Sequence, residues 1–151
     1  MVKPLPPAEV GKRLHAFGLA RDRLQIGLAR SAGLSTLDLH ALEHLEHSGL
    51  LTPRELERRL GLTSGAVTAL VDRLERVGWV TRSPNPSDRR SVLVALSEAA
   101  LEAADERVGG YHRRVRRAAQ RLSPAERAVV ARFLDEVTAA ARAGGDRFWG
   151  E

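Results

Sequence analysis

The chain has 151 residues with 24 basic and 19 acidic side chains, and this formal net charge of +5, carried mostly by arginine, favours a polyanionic partner. It has no cysteine, which excludes disulfides, thiolate metal sites and thiol redox sensing. No secretion signal and no membrane-spanning apolar run is seen, so we expect a cytoplasmic protein without a membrane partner.

The length fits a single domain over residues 1–151. Apolar residues at helical spacing predict a first helix over about residues 8–31. Ser35 and Asp38 then form a variant of the capping box, a motif in which two side chains satisfy the free amides of a helix start. This pattern predicts a second helix that ends near His47.

Two short helices joined by a tight turn follow. Thr52 and Glu55 form a capping box for the first helix, and Gly61 ends it. The second helix covers residues 63–77, where buried-type residues recur at helical spacing and small polar residues face outward. This is the helix-turn-helix pattern. Small side chains at the start of its second helix suit close approach to a DNA major groove, and the free amides favour phosphate.

A β-hairpin is predicted next, with strands at residues 79–82 and 92–96. The loop between them is rich in turn-forming residues and carries Arg89 and Arg90 beside Asp88. A basic finger after a helix-turn-helix indicates a winged helix, whose arginine can enter a narrow minor groove. We expect Asp88 to fix the side chain of Arg90 by a charge-assisted hydrogen bond.

Two helices complete the chain. Ser97 caps a long one, in which Gly109–Gly110 is expected to cause a bend or a close helix–helix contact. The last helix is predicted to end near Ala143, before Gly144–Gly145.

The fold class is therefore mainly α with a small β-wing: a winged helix at about residues 35–96, flanked by dimerisation helices at about 8–31 and 97–143. Apolar faces outside the winged helix predict a symmetric homodimer.

Residues 88–97, DRRSVLVALS, and residues 67–75, VTALVDRLE, resemble the wing and recognition helix of the MarR family (multiple antibiotic resistance regulators). The resemblance implies a homodimeric transcription regulator, a repressor that binds a palindromic operator in double-stranded DNA and is released by a small ligand. It also implies that Arg90 enters the minor groove, that Asp72 ties the recognition helix to the wing, and that a short strand near Leu51 joins the wing sheet. Ala69 stands where many members have a larger residue.

Together these patterns predict a DNA-binding surface at two helix starts, the outer side of the recognition helix and the wing tip. Its candidate residues are Thr52, Thr63, Ser64, Gly65, Thr68, Ala69, Arg73, Asp88, Arg89 and Arg90. By resemblance, a small aromatic or anionic effector would bind between the first, second and fifth helices. Its candidate residues are His15, His40, His44, Tyr111 and His112.

Several alternatives stay open. His40, His44 and His47 share a helix face at a spacing that can chelate a divalent metal, as in a metal-responsive regulator. An ordinary surface helix is the interpretation we favour. We therefore expect no metal or cofactor. Arg113–Arg114 and Arg116–Arg117 fit a solvated face paired with acidic residues at a dimer junction, or extra phosphate contacts. A winged-helix dimer used for protein–protein contact is a further hypothesis. Enzymatic motifs are absent from the sequence, so we expect no enzyme.

Overall fold

The computed structural model describes residues 5–149, and the surroundings of side chains as far as residue 144. Within that range it divides into two compact units, residues up to Ala100 and residues from Leu101 onward. The described elements, in chain order, are α1 (Pro7–Ala32), α2 (Thr36–Ser48), α3 (Pro53–Leu60), α4 (Ser64–Arg76), β1 (Val80–Pro84), β2 (Val92–Leu96), α5 (Glu98–Gln120) and α6 (Pro124–Trp149). The predicted class, mainly α with a two-stranded wing, is confirmed.

The first unit is built around one apolar core that α2, α3, α4 and the hairpin enclose. Each helix contributes the residues that its sequence spacing places on one side, so that side is buried and the opposite side stays in water. Removing this apolar area from water is the main stabilising contribution to the unit. Its buried members are Ala41, Leu42, Leu45, Leu51, Leu56, Val67, Leu70, Val71, Leu74, Val80 and Val94.

The wing sheet is antiparallel, with Val80 opposite Leu96 and Pro84 opposite Val92. Leu51, between α2 and α3, extends it by an isolated bridge to Val94. The Leu51 amide donates to the Val94 carbonyl at 3.1 Å, and the Val94 amide donates to the Leu51 carbonyl at 2.8 Å. The pairing expected near Leu51 therefore occurs, as an isolated bridge rather than a strand, and it fixes the start of α3 beside the wing.

Two turns set the direction of the chain around α4. Gly61 ends α3 with φ of 64°, in the left-handed region that favours glycine, and Gly78 follows α4 with φ of 81°. The Gly78 carbonyl accepts a hydrogen bond from the Ser97 hydroxyl at 2.6 Å. The same Ser97 oxygen accepts from the Ala100 amide at 3.1 Å and so caps α5, as predicted.

Helices α5 and α6 both continue through glycine pairs, and α6 corrects the predicted position of its end. Helix α5 continues through Gly109–Gly110, and α6 passes the predicted end at Ala143 and continues to Trp149. A glycine costs only about 1 kcal/mol relative to alanine inside a helix, so strong helix formers on both sides can carry the helix across it. The atoms nearest to Gly109 belong to α5 itself: an added Cβ would lie 2.9 Å from Oδ1 of Asp105, so the close helix–helix contact stays a prediction. None of the helices described between residues 5 and 149 has the length and apolar character that crossing a membrane requires.

Leu56→Ala tests the core. Leu56 is 0% exposed, so its truncation should lower the free energy of unfolding by about 2–5 kcal/mol through lost burial and the cavity left behind. Urea unfolding followed by circular dichroism measures the change. Leu50→Ala is the matched control, because Leu50 is 53% exposed and should change stability by no more than about 0.5 kcal/mol. Equal effects of the two substitutions would contradict this description of the core.

Candidate nucleic-acid interface

The first turn of α4 presents small side chains to solvent. Thr63 caps the helix, its hydroxyl oxygen accepting from the Ala66 amide at 3.4 Å. Ser64, Gly65 and Ala69 are exposed. A Cβ added at Gly65 would meet no atom of the protein within 4 Å. Internal packing therefore does not require glycine at this position. The absence of a side chain leaves room for a partner that approaches the backbone from outside.

Thr68 is exposed one turn further along α4, and its hydroxyl already forms one hydrogen bond within the helix. Its Oγ1 donates to the Ser64 carbonyl at 2.9 Å. A hydroxyl has one proton and two lone pairs, so Thr68 can still accept a hydrogen bond but has no proton left to donate. Such a group accepts from the amino group of adenine or cytosine, and its methyl can contact thymine.

The orientation of α4 depends on a buried carboxylate. Asp38 of α2 is 3% exposed, and its Oδ1 accepts from Nη2 of Arg73 on α4. Its Oδ2 accepts from the Ser35 amide at 2.9 Å and from the Ser35 hydroxyl at 2.7 Å. Burial raises the pKa of Asp38, but the hydrogen bonds from Arg73 and Ser35 outweigh it and hold the pKa below the usual 3.8. The carboxylate is therefore charged at neutral pH and binds α2 to α4.

This pair gives Arg73 a role that the sequence did not predict. The sequence placed Arg73 among the groups that face a DNA groove, whereas the structure holds its guanidinium against Asp38. The reason is tertiary: α2 brings a desolvated carboxylate within reach, and a charged hydrogen bond to a buried partner is stronger than one to water. Arg73 therefore positions α4, and because its side chain is 47% exposed, its contact with DNA stays a prediction.

A second set of ion pairs joins α4 to the wing. Arg82 of β1 donates from Nη2 to Oδ1 of Asp72 and from Nη1 to Oε2 of Glu75, each at 2.6 Å. Burial lowers the pKa of Arg82, but its two carboxylate partners more than compensate and raise the pKa above its ordinary value. The expected tie between Asp72 and the wing is confirmed. Its partner Arg82 was not identified from the sequence, in which it is one more arginine in a strand.

The wing loop is closed by its own polar groups. The Asn85 amide donates to the Ser91 carbonyl at 3.2 Å, and Nδ2 of Asn85 donates to the Ser91 hydroxyl at 2.8 Å. Asp88 accepts at Oδ1 from the backbone amide of Arg90 at 3.0 Å. The expectation that Asp88 fixes the guanidinium of Arg90 is thus corrected, because the carboxylate forms an Asx turn with the backbone instead.

The turn at Asp88 leaves both wing arginines turned to solvent. Arg89 and Arg90 are exposed, and over residues 5–144 neither guanidinium has a hydrogen bond or an ion pair within the chain. Two adjacent cationic groups on a closed loop are thus available to an anionic partner.

Thr52 is engaged at the start of α3. Its hydroxyl donates to Oε2 of Glu55 at 2.8 Å and accepts from the Glu55 amide at 3.3 Å, and its amide donates to the same carboxylate at 2.7 Å. The amide and hydroxyl of Thr52 lower the pKa of Glu55. The predicted capping box is present, and the Thr52 hydroxyl serves first to position α3.

The candidate effector residues fall in both units. In the first, Nε2 of His40 lies 3.3 Å from Oε1 of Gln25, whose Nε2 donates to Oε2 of Glu43 at 2.8 Å. Burial, together with the charge of Arg59, lowers the pKa of the half-buried His44. His15 is exposed on α1. In the second unit, the remaining two candidates are neighbours on α5, Tyr111 and His112, with ring centroids 5.7 Å apart.

The hypothesis of a metal site concerns the histidines of α2. Among the side chains that the structure describes, no three histidine, aspartate or glutamate groups come together as metal ligands. His40 is instead bonded to Gln25. The arrangement therefore gives no support to a metal-responsive regulator.

Comparison with known proteins gives concordant results. Residues 32–91 match the model of the MarR family. The chain is 46% identical over 66 residues to the uncharacterized HTH-type transcriptional regulator YcgE of Bacillus subtilis, covering 44% of this chain and 43% of that protein. It is 34% identical over 88 residues to the multiple antibiotic resistance protein MarR of Escherichia coli, covering 58% of this chain and 61% of that protein. The chain thus spans less than two thirds of these curated relatives.

The fold has a counterpart among solved structures. A crystal structure of a mutant MarR from E. coli complexed with operator DNA is similar with a TM-score of 0.55 and 27% sequence identity. The similarity covers 85% of this chain and 92% of that one, which extends it beyond the winged helix.

Asp38→Asn tests the link between α2 and α4. Because folding lowers the pKa of Asp38, its carboxylate stabilises the protein above the unfolded-state pKa, and this contribution is lost as pH falls through the folded-state value. The substitution should cost about 1–3 kcal/mol at neutral pH. The gap between the two proteins should close as pH falls below about 4.

Urea unfolding at a series of pH values measures this difference. Asp22→Asn is the control, since Asp22 is exposed on α1 and has no ion pair among the side chains that the structure describes. A gap for Asp38→Asn that stays constant with pH would rule out the charged pair as its cause.

Proposed function

We propose that this chain, which belongs to the MarR family, is a homodimeric, sequence-specific DNA-binding transcription regulator. The observation that carries the proposal is the exposed first turn of α4 beside a hairpin whose tip arginines have no partner among the described side chains. The operator complex of the similar E. coli protein supports the same partner.

In this proposal the start of α4 enters the major groove. The exposed Ser64, Gly65 and Thr68 allow close approach, and the free amides of the helix N-terminus favour phosphate. Thr68 reads a base amino group as an acceptor. Ala69 adds only a methyl, which suits apolar contact with thymine.

The wing contacts the minor groove through Arg89 and Arg90. A narrow minor groove concentrates negative potential, and an inserted guanidinium gains from it without needing a base-specific hydrogen bond. Arg82, through Asp72 and Glu75, couples the wing to α4, so the two contacts are made as one unit. This coupling explains why Arg82 is turned inward although it is basic.

Homodimerisation is supported by apolar side chains that the chain itself does not cover. Phe17 is 50% exposed and Ile26 49% on α1, while Val129 is 56% and Leu134 46% exposed on α6. A two-fold dimer would present two α4 helices to half-sites about one DNA turn apart, roughly 34–36 Å. The operator is therefore proposed to be palindromic.

Regulation by a small aromatic or anionic effector completes the proposal, with the protein acting as a repressor that the ligand releases. Helix α2 carries both Asp38, which holds Arg73 of α4, and the candidate residues His40 and His44. A ligand that binds beside these histidines and shifts α2 would change the orientation of α4. It must bind the two states with different affinity, since equal affinity shifts no equilibrium.

Arg90→Ala tests the wing contact. Removal of a guanidinium from the minor groove should weaken operator binding by about tenfold or more, because a specific contact is worth about 1–3 kcal/mol. The operator is first recovered by selecting bound duplexes from a randomised pool, and its affinity is then measured by fluorescence anisotropy. Arg23→Ala is the control, since it removes the same charge from α1, outside the winged helix.

The salt dependence of binding separates this function from protein–protein contact. Affinity for DNA should fall with added salt, the log–log slope being about −0.9 for each phosphate neutralised. If the pool yields no palindrome and Arg90→Ala leaves DNA affinity unchanged, the winged helix serves another partner and the proposed function fails.

Gly65→Ala tests the approach of α4. Because the added methyl meets no atom within 4 Å, the fold should be as stable as before or slightly more so, since alanine favours a helix over glycine by up to about 1 kcal/mol. DNA affinity should nevertheless fall by about tenfold, as lost close contacts cost about 1.4 kcal/mol per tenfold change. Thermal unfolding and operator binding are measured on the same preparation. Unchanged affinity would mean that the backbone at residue 65 does not approach DNA.

A further inference from the structure

Helix α4 has a row of exposed residues on the side opposite the apolar core. These residues are spaced i, i+4, i+7 and i+11, and at about 100° of rotation per residue they lie within roughly 60° of one another. We call them the outer stripe: Gly65, Ala69, Asp72 and Arg76. Hydrogen-bond donors are present in only one side chain of the stripe, the guanidinium of Arg76.

The acidic neighbours of Arg76 on α4 already bind another arginine. Asp72, one turn earlier, stands where an arginine of a helix ordinarily finds its ion-pair partner. Its Oδ1 accepts instead from Arg82 of β1 at 2.6 Å, and Oε2 of Glu75 accepts from the same guanidinium at 2.6 Å. Over residues 5–144, Arg76 forms no ion pair and no side-chain hydrogen bond. Its charge is therefore open to an external anion.

The helix dipole accounts for a cation at residue 76 but supplies no partner for its guanidinium. Arg76 lies in the last turn of α4, where the dipole favours a positive charge, and Arg117 has the same position on α5. Both side chains are exposed. The two arginines thus share charge, exposure and place in the dipole, but only Arg76 lies on the same stripe as the start of a helix-turn-helix recognition helix.

The length of the outer stripe determines which part of a duplex Arg76 can reach. From Gly65 to Arg76 the helix rises roughly 16–17 Å, at about 1.5 Å per residue. The major groove of DNA is about 12 Å wide. If Gly65 lies against the base edges, residue 76 is therefore at the border of the groove, where the backbone presents phosphates.

We propose that Arg76 binds a backbone phosphate at the border of the major groove and so helps to fix how α4 lies in it. The inference rests on the proposed function and adds to it a contact that carries no base information. A guanidinium suits this role, because it donates two parallel hydrogen bonds to one phosphate. The pairing of Asp72 with Arg82 favours the contact, since an uncompensated carboxylate on the same stripe would repel the phosphate.

Arg76→Gln tests the contact, with Arg117→Gln as the matched control that removes the same charge from the last turn of α5. Glutamine keeps high helix propensity, so both variants should fold and assemble as wild type, which circular dichroism and sedimentation check. Affinity is measured over a range of salt concentrations, for the operator recovered from the randomised pool and for single base-pair variants of it.

Arg76→Gln should weaken binding to all these duplexes by about the same factor, because a phosphate contact is independent of sequence. Its log–log salt slope should become shallower by about 0.9 for each subunit that contacts the duplex. Arg117→Gln should change neither the affinity nor the slope. Arg76→Lys keeps the charge and should retain the wild-type slope.

A neutral analogue of the phosphate locates the contact on the duplex. Methylphosphonate linkages are placed one position at a time in both half-sites of the operator. The wild-type protein should lose affinity when the linkage is at the border of the major groove, and Arg76→Gln should lose no further affinity at that position. Such non-additivity identifies the residue and the phosphate as a pair.

Several outcomes would overturn this inference. An unchanged salt slope for Arg76→Gln would do so, as would equal losses for Arg76→Gln and Arg117→Gln, which would show a general charge effect. Losses that depend on the base pair would replace the phosphate contact by a base contact. Additive losses at every methylphosphonate position would exclude a specific phosphate partner.

Failure of this inference is distinguishable from failure of the proposed function. If Arg76→Gln behaves as wild type while Arg90→Ala still weakens operator binding, only the contact at residue 76 is refuted. If neither substitution affects binding to any duplex, the polyanion is not DNA and both proposals fall.

Discussion

The position of α4 depends on a carboxylate that has been removed from water. Asp38 is stable there as an anion only because three donors surround it, two from Ser35 and one from Arg73. If any of these were lost, the cost would be that of a buried charge without compensation, which greatly exceeds that of a broken surface pair. The apolar core fixes which side of α4 is buried. The ion pair fixes how α4 is placed along and against α2.

The arginines discussed above have two different roles, and the role depends on how far each side chain is removed from water. Arg73 and Arg82 meet carboxylates in partly desolvated surroundings, where charge-assisted hydrogen bonds hold one element to the next. Arg89 and Arg90 stand on a loop whose acidic residue is bonded to backbone, so their charge is directed outward. A basic composition therefore serves two purposes here, internal bracing and attraction of an external anion.

Local patterns were sufficient to predict most elements, because helix starts and turns are encoded by neighbouring residues. The capping box of Thr52 and Glu55 and the left-handed Gly61 appear where the sequence indicated. The partner of Arg73 could not be predicted, since Asp38 lies 35 residues away and meets it only after α2 and α4 have packed. The end predicted for α6 before Gly144 was wrong, because the helix continues to Trp149. A glycine weakens a helix, but whether the helix ends there depends on the free energy of all its residues.

The two oxygens of Asp38 serve different elements, one completing the start of α2 and the other receiving Arg73 of α4. This sharing constrains how recognition helices can be exchanged between related proteins. A chimera that contains the α4 of another protein, without arginine at position 73, would leave the buried carboxylate of Asp38 without its partner. It would weaken the start of α2 as well. A transplanted helix should therefore carry Arg73 with it, or be accompanied by a neutral residue at position 38, before its base preference can be judged.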